Sequence, residues 1–202
     1  MRRYNGRSKK YEIVGESLGF PAFFVKKRKP FYELCYNLSK KNDVMEWKGG
    51  SFVELSETVA LLSDKNHSVA YEALQRLHEA SEQGPEVAMF VPHFYELLDS
   101  ERSYVRTRGM ILLAVNAKWI SEKELELFLP KFLEHITDPK PITARQCVQC
   151  LPQIIDAKPA TAPAIVTALK QVKLTGYQES MQKLVAQDIQ QALRQIQKNI
   201  TR

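Results

Sequence analysis

Two cysteines close together form the most chemically suggestive motif of the chain. Cys147 and Cys150 stand three residues apart, so on a helix both thiols face one side, where they could bind a metal or form a redox disulfide. A structural zinc ion requires four ligands, and neither a second cysteine pair nor a histidine pair with ligand spacing accompanies them. Free cysteine packs well as a small apolar side chain. The motif therefore predicts two buried packing residues, with no metal and no cofactor.

Other residue types used in catalysis do not form a recognisable arrangement. The four histidines, His67, His78, His93 and His135, lack the spacing of metal ligands. The chain also contains neither a nucleophile motif nor a glycine-rich phosphate loop. The sequence therefore predicts no catalytic residues and a non-enzymatic role.

Positive charge is concentrated in the first quarter of the chain. Residues 1–50 contain 12 Lys and Arg against 5 Asp and Glu, although the formal net charge of all 202 residues is only +6. The densest run is Lys26, Lys27, Arg28 and Lys29, and it has aromatic residues on both sides. Cations bind phosphates and aromatic rings stack on bases, so residues 2–29 are a candidate site for single-stranded nucleic acid. An anionic membrane surface and a solvated arm are the alternative interpretations.

A change in composition divides the chain into two regions. The pair Gly49-Gly50 interrupts regular structure, and Ser51 with Glu54 has the spacing of a capping box at the start of a helix. We therefore predict a basic N-terminal extension over residues 1–50 and a second domain over residues 51–202. Within the extension, apolar residues at helical spacing predict one short helix over Phe31–Lys41.

Composition restricts the class of protein further. Hydrophobic residues make up 44% of the chain, enough for a globular core, and the longest apolar run, 110–115, is far too short for a membrane span. The odd number of cysteines, three, fits a reducing compartment, so we predict a cytoplasmic location.

A repeat runs through the second domain. The segment Phe90-Val91-Pro92 recurs as Phe128-Leu129-Pro130, and a weaker copy, Thr161-Ala162-Pro163, follows, at offsets of 38 and 33 residues. Leu61 and Leu62 stand 36 residues before Leu97 and Leu98 and supply a first copy. With the offsets of 36, 38 and 33, later positions read Ala73, Gly109, Cys147 and Ser180, always small, and four residues on Leu77, Leu113, Leu151 and Leu184. A small residue one turn before a leucine favours close packing of helices. The repeat predicts an all-α fold in which each unit is a pair of helices, A then B, stacked on its neighbours.

With these features, residues 51–202 resemble HEAT-like, armadillo-type helical repeats. The shared features are a proline in helix A (Pro92, Pro130, Pro163), an acidic turn (Asp64, Asp99, Asp138), and Val105-Arg106 followed by the small Gly109. The resemblance implies an α-solenoid of about four antiparallel helix pairs that binds a protein or peptide on its concave face. A family of DNA alkylation glycosylases is also built on HEAT-like repeats and relies on tryptophans and an aspartate. Trp47 and Trp119 raise that third alternative, but no aspartate follows Trp119 by one turn.

Helical geometry predicts which residues of the B helices face a partner. In the second unit Val105, Gly109, Leu112 and Leu113 are expected to point inward, which leaves Thr107 and Ile111 outward and Arg108 on the flank. The offsets extend these positions into three rows: Tyr71, Thr107, Arg145 and Gln178; Gln75, Ile111, Gln149 and Gln182; and Glu72, Arg108, Gln146 and Glu179. Glutamine both donates and accepts hydrogen bonds, so these rows suit a peptide backbone. The alternative is that glutamine serves only as an inert residue of a helix surface.

Overall fold

The structure, a computed structural model, describes residues 46–47 and 50–200, with side chains over 53–198. Two short strands, β1 (Glu46–Trp47) and β2 (Gly50–Ser51), pair antiparallel immediately before the first helix. The helix predicted over Phe31–Lys41 and the basic residues 2–29 lie outside the described residues.

Eight α-helices account for most of the described chain. They are α1 (Phe52–Leu61), α2 (His67–Gln83), α3 (Val91–Leu97), α4 (Ser103–Asn116), α5 (Glu122–Glu134), α6 (Pro141–Ala157), α7 (Ala162–Gln171) and α8 (Glu179–Ile200). Short 3₁₀ segments at Glu86–Phe90, His135–Thr137 and Pro159–Thr161 join some of them. The prediction of an all-α fold is confirmed for the described residues. None of these helices is both long and apolar enough to cross a membrane.

Local sequence explains where several helices begin. Asn66 caps α2 by accepting a hydrogen bond from the backbone N–H of Ser68, at 3.0 Å. Ser121 and Glu124 form a complete capping box at α5, in which each side chain accepts from the other residue's backbone N–H. α6 begins with Pro141, whose fixed φ suits a first helical turn.

The longer helices pack in a consecutive row. α4 lies between α2 and α6, and α6 in turn packs against α8, while α3 covers another side of α4. One continuous core joins all these elements, and its largest fully buried side chains include Phe90, Phe94 and Phe132. The four inward positions predicted on α4, namely Val105, Gly109, Leu112 and Leu113, are all buried.

The small position of α4 is a close helix contact. A Cβ atom added at Gly109 would stand 2.7 Å from the carbonyl oxygen of Phe94 and 2.9 Å from Cβ of Leu97. Both distances are too short for real Cβ contacts, so only glycine allows α3 to approach α4 this closely. The predicted packing role of the small residue is confirmed in this unit.

The register predicted for the last helix is wrong. Ser180 is exposed and Leu184 is 36% exposed, whereas Val185 and Ile189 are buried in their place. The helix bounds show why: α4, α6 and α8 begin 38 residues apart, and α5 and α7 end 37 residues apart, so the offset of 33 fits neither helix of the last unit. Pro130 lies inside α5, whereas Pro163 lies in the first turn of α7, so the match between these two prolines joined different places in helix A.

Candidate functional site

The crowding of α4 leaves one narrow strip of that helix on the surface. Ten of its fourteen residues are buried against neighbouring helices. The exceptions on the outer side are Tyr104, Thr107 and Ile111, which follow one another at intervals of three and four residues and therefore lie on one face. Tyr104 is 60% exposed, which is unusual for so large a side chain on a helix that is otherwise enclosed.

The strip continues onto the helices on both sides. On α2 it includes Tyr71, 59% exposed, and Gln75, which is also exposed. On α6 it includes Ile142, which is 69% exposed and stands 38 residues after Tyr104. Thr107 and Ile111 on α4 are half-buried, and Gln149 on α6 is exposed. We call this set the exposed strip: Tyr71, Gln75, Tyr104, Thr107, Ile111, Ile142 and Gln149.

Aromatic contact connects the strip between α2 and α4. The rings of His67 and Tyr104 meet edge to face, with their centroids 4.9 Å apart. Tyr71 lies one helical turn beyond His67 on the same helix. Because packed helices are about 8–10 Å apart, Ile142 on α6 lies within reach of a segment that also touches Tyr104. Three large apolar side chains are thus presented on α2, α4 and α6, which pack side by side.

Tyr104 and Ile142 are absent from the rows predicted from the sequence. On α4 the first predicted position is Thr107, and on α6 it is Arg145, in each case one turn later on the same face. Tyr104 and Ile142 are 38 residues apart, the same offset that relates Thr107 to Arg145. Extending that row by one turn toward the N-terminus of each helix would have identified both residues.

Arg145 is placed beside the strip but is already paired. Its Nε donates to Oδ2 of Asp188 on α8 at 2.5 Å, and its Nη2 lies 3.4 Å from Oδ1. The hydrogen bond from Asp188 raises the pKa of Arg145. Gln149 also reaches this carboxylate, with Nε2 3.5 Å from Oδ1. The structure therefore gives Arg145 a role in joining α6 to α8.

Arg108 departs most from the expected placement on a partner-facing row. Its residue surface is only 6% exposed, and its Nη1 donates to the carbonyl oxygen of Leu62 at 2.8 Å. Burial, and secondarily the charge of Arg102, lowers the pKa of Arg108. The flank of α4 is covered by the turn that follows α1, so this side chain supports packing there and does not face solvent.

The remaining members of the predicted rows are scattered. Gln146 is half-buried, and Gln178 precedes α8. Gln182 donates to the carbonyl oxygen of Tyr177 at 2.7 Å, a bond that closes the start of α8. Glu72 and Glu179 are exposed on α2 and α8. Gln178 and Gln182 do not continue the strip, because α8 begins 38 residues after α6, whereas the rows were extended with an offset of 33.

The seam between α6 and α8 contains a polar cleft. Its volume is about 200 Å³. It is lined by Gln149, Pro152, Asp188, Gln191, Ala192 and Gln195. Three amides around one carboxylate provide both donors and acceptors, so the cleft extends the polar end of the strip.

The two cysteines of α6 are buried packing residues, as predicted. Cys147 donates from Sγ to the carbonyl oxygen of Phe132, 3.3 Å away. Burial raises the pKa of Cys147 well above its ordinary value and that of Cys150 to about 11. Both groups are therefore neutral thiols near neutral pH. Over residues with described side chains, no group of three or more histidines, cysteines and carboxylates could hold a metal ion.

A buried ion pair joins α4 to the connection between α5 and α6. Nε and Nη2 of Arg106 each donate to one carboxylate oxygen of Asp138 at 2.7 Å. The backbone N–H of Lys140 and Nδ1 of His135 also contact this carboxylate, at 2.8 and 3.0 Å. Burial alone would raise the pKa of Asp138, but these hydrogen bonds outweigh it and hold the pKa below its ordinary value. Sequence reasoning noticed Arg106 and Asp138 separately and missed their pairing.

Trp119 lies at the turn between α4 and α5. Its Nε1 donates to the carbonyl oxygen of Ser81 at 2.7 Å, and its residue surface is 39% exposed. The ammonium of Lys118 stands 5.0 Å from the centre of its ring. The tryptophan therefore ties α4 to the end of α2, a contact at the opposite end of α4 from Tyr104. Trp47 lies in β1, in a part of the chain without described side chains.

The nucleic-acid candidates Lys26, Lys27, Arg28 and Lys29 lie outside the described residues, so that interpretation stays a prediction. No family model, no curated protein and no solved structure matches the chain. The HEAT-like resemblance likewise stays a prediction, and the function has to be inferred from the chain's own geometry.

Proposed function

We propose that this protein is a non-enzymatic scaffold that binds a protein or peptide along the exposed strip. The helix pairs are proposed to form a short HEAT-like α-solenoid, in which α2, α4, α6 and α8 are the B helices. The spacing of their first residues, 36, 38 and 38, supports this arrangement, as does the contact of each with the next. In such a stack the aligned B helices supply a continuous binding face.

The observation that carries the proposal is the exposure of Tyr71, Tyr104 and Ile142 on three helices that pack side by side. Large apolar side chains that share an exposed surface are typical of protein interaction sites. Tyrosine is also enriched among the residues that contribute most binding energy, because it combines a large apolar ring with a hydroxyl group. The amides of Gln75 and Gln149 beside them can bond to a peptide backbone.

The placement of reactive groups supports a non-enzymatic role. The thiols of Cys147 and Cys150 are buried, and the carboxylate of Asp138 is occupied by Arg106. The charge beside the strip, Arg145, is paired with Asp188. We further propose a cytoplasmic location, because free buried thiols suit a reducing compartment.

Affinity capture with a variant of the strip tests the proposal. The variant Y71S/Y104S/I142S removes the three apolar anchors without touching buried residues. The control M89S/L127S changes two residues that are 38% and 43% exposed elsewhere on the surface. After nuclease treatment of the lysate, wild type and control should retain a protein that the strip variant loses, with equal helical circular dichroism. Identical sets of captured proteins would contradict the proposal.

Nucleic-acid binding through the N-terminal extension is the second candidate. It is favoured by the excess of 12 basic over 5 acidic residues in positions 1–50 and by the aromatic residues around positions 26–29. Neutralising four phosphates of a single strand predicts a log–log salt slope of about −3. Replacing Lys26, Lys27, Arg28 and Lys29 with alanine should flatten that slope.

A matched variant makes the titration specific. Alanine at four exposed cations of the helical domain, Lys123, Lys170, Lys173 and Arg194, removes the same charge from described helices and loops. A labelled single strand should bind this control with an unchanged slope. Equal loss in both variants, or no binding at low salt, would eliminate the nucleic-acid candidate.

A further inference from the structure

α1, the first helix of the described row, has an exposed face of mixed character. Leu55, Val59 and Leu62 are buried on the side that packs toward the core. The opposite face is exposed and consists of Val53, Glu54, Glu57, Ala60 and Leu61. Val53 and Leu61 are each 40% exposed. In a stacked array of helices, the outer face of the terminal helix has no neighbouring unit to bury its apolar residues. Val53 and Leu61 would therefore be buried only if another segment packed over them.

The strand pair before α1 determines where the preceding chain must pass. Glu46 pairs with Ser51, and Trp47 pairs with Gly50, in antiparallel register. Because Phe52 begins α1 directly after Ser51, the partner of Glu46, the strand pair holds Glu46 beside the start of α1. Position 41 is only five residues before Glu46, so the chain cannot carry it more than about 17 Å away from Glu46. The strand pair therefore anchors the N-terminal chain near the start of α1.

We propose that residues 31–41 form a helix that docks antiparallel onto the exposed face of α1 and caps the row of helices. The apolar positions of this segment, Phe31, Leu34, Cys35 and Leu38, recur at helical spacing and form one stripe. That stripe needs apolar surface, and Val53, Ala60 and Leu61 supply it. This assignment concerns a different surface from the exposed strip and does not depend on it.

Length and charge both match in the antiparallel arrangement. An eleven-residue helix is about 16 Å long, and the ten residues of α1 span about 15 Å. Residues 42–45 are enough for a turn between a helix and the strand pair. Lys40 and Lys41 then stand near the start of α1, where Glu54 and Glu57 supply opposite charge. In the parallel arrangement the basic end would lie away from these carboxylates.

The antiparallel arrangement predicts a specific neighbour for Cys35. Cys35 precedes Lys41 by six residues, and Ala60 follows Glu54 by six, so the two lie level if Lys41 meets Glu54. The variant A60C in the full chain therefore places two thiols close together. A short bismaleimide should join them within one chain, and peptide mapping should identify Cys35 as the second site. Cys147 and Cys150 are buried and should stay unmodified in the native protein.

The control is Q75C, which places a thiol on an exposed position of α2 instead of α1. The proposal expects at least tenfold faster intramolecular joining of Cys35 in A60C than in Q75C. Equal rates would overturn it. Joining between two chains at position 60 would also overturn it, because a second copy would then cover α1.

A second pair of variants keeps the test independent of the introduced thiol. L38D puts a charge on the apolar stripe, whereas Y36D makes a similar change on the other side of the same segment. L38D should raise amide hydrogen exchange of residues 53–61 at least tenfold relative to wild type, and Y36D should leave it nearly unchanged. If both variants exchange like wild type over these residues, the segment does not cover α1.

Discussion

Removing the carboxylate of Asp138 is the perturbation whose effect can be worked out most fully. The side chain is completely enclosed, and the partner guanidinium of Arg106 has only 10% of its surface exposed. The variant D138A deletes both acceptors of the 2.7 Å bonds from Nε and Nη2. It also deprives the backbone N–H of Lys140 and the ring of His135 of their partner. A buried positive charge is left without its counter-ion.

Breaking a buried ion pair by removing one partner costs about 3–5 kcal/mol of unfolding free energy. The lower end of that range applies here, because Nη1 of Arg106 still donates to the carbonyl oxygens of Ser100 and Glu101, at 2.7 and 3.1 Å. For a domain of about 150 residues, a loss of about 3 kcal/mol lowers Tm by about 6–12 °C. We therefore expect a fall of this size for D138A.

Urea and thermal unfolding, followed by circular dichroism at the helical band, measure the loss. The control is E179A, which breaks the exposed pair of Glu179 with Lys183, whose side chains are 81% and 70% exposed. That pair is worth about 0.3–0.5 kcal/mol, so Tm should barely change. A double-mutant cycle with R106M and D138A should show strong coupling, because the second change removes the unpaired charge. If D138A lowered the free energy of unfolding by less than about 1 kcal/mol, or if the effects of R106M and D138A were additive, the buried ion pair would not stabilise the fold as expected.

Three further predictions concern close packing, thiol reactivity and acid stability. Replacing Gly109 with leucine should lower the free energy of unfolding in urea by about 1–3 kcal/mol or more, because even a Cβ atom has no room there. Alanine at Gly176, where a Cβ meets no atom within 4 Å, should be nearly neutral. Equal effects of the two changes would contradict the close packing at Gly109. Cys147 and Cys150 should react with a thiol reagent far more slowly in the native protein than in urea, and similar rates would contradict their burial. Because folding lowers the pKa of Asp138, the ionised carboxylate contributes fully to stability above the unfolded pKa of about 3.9, and this contribution is lost as the pH falls further. The difference in unfolding free energy between wild type and D138N should therefore shrink below about pH 4. A difference that stays constant would contradict the lowered pKa.

Most of the fold follows from the period of the sequence. A small residue four positions before a leucine correctly identified the buried faces of α2, α4 and α6, where Ala73, Gly109 and Cys147 are enclosed. The offset of 33 misplaced α8, because it was taken from Pro163, which lies in the first turn of α7, whereas Pro130 lies inside α5. A single proline occurs both in the first turn and inside a helix of this chain, so its position alone does not fix the register.

The candidate site was predictable only in part. Tyr71 and Gln75 on α2 are exposed as expected, because their helical spacing places them away from the buried residues of α2, such as Ala73 and Leu77. Arg108 was misplaced because helical spacing gives the angle of a residue around its own helix but not which turn of the chain covers it. The pairing of Arg106 with Asp138 spans 32 residues, and long-range pairs of this kind are invisible to local spacing.

Photo-crosslinking from the exposed strip in the full chain shows whether another protein binds there. A photoreactive phenylalanine analogue replaces Tyr104 in one protein and Leu127, which is 43% exposed on α5, in a matched protein. Both side chains are accessible, but only position 104 lies on the exposed strip. We expect a light-dependent adduct with another protein at position 104 and none at position 127. The adduct at position 104 should be lost when Tyr71 and Ile142 are also replaced with serine. Absence of an adduct at position 104, or equal yields at both positions, would contradict binding at the exposed strip.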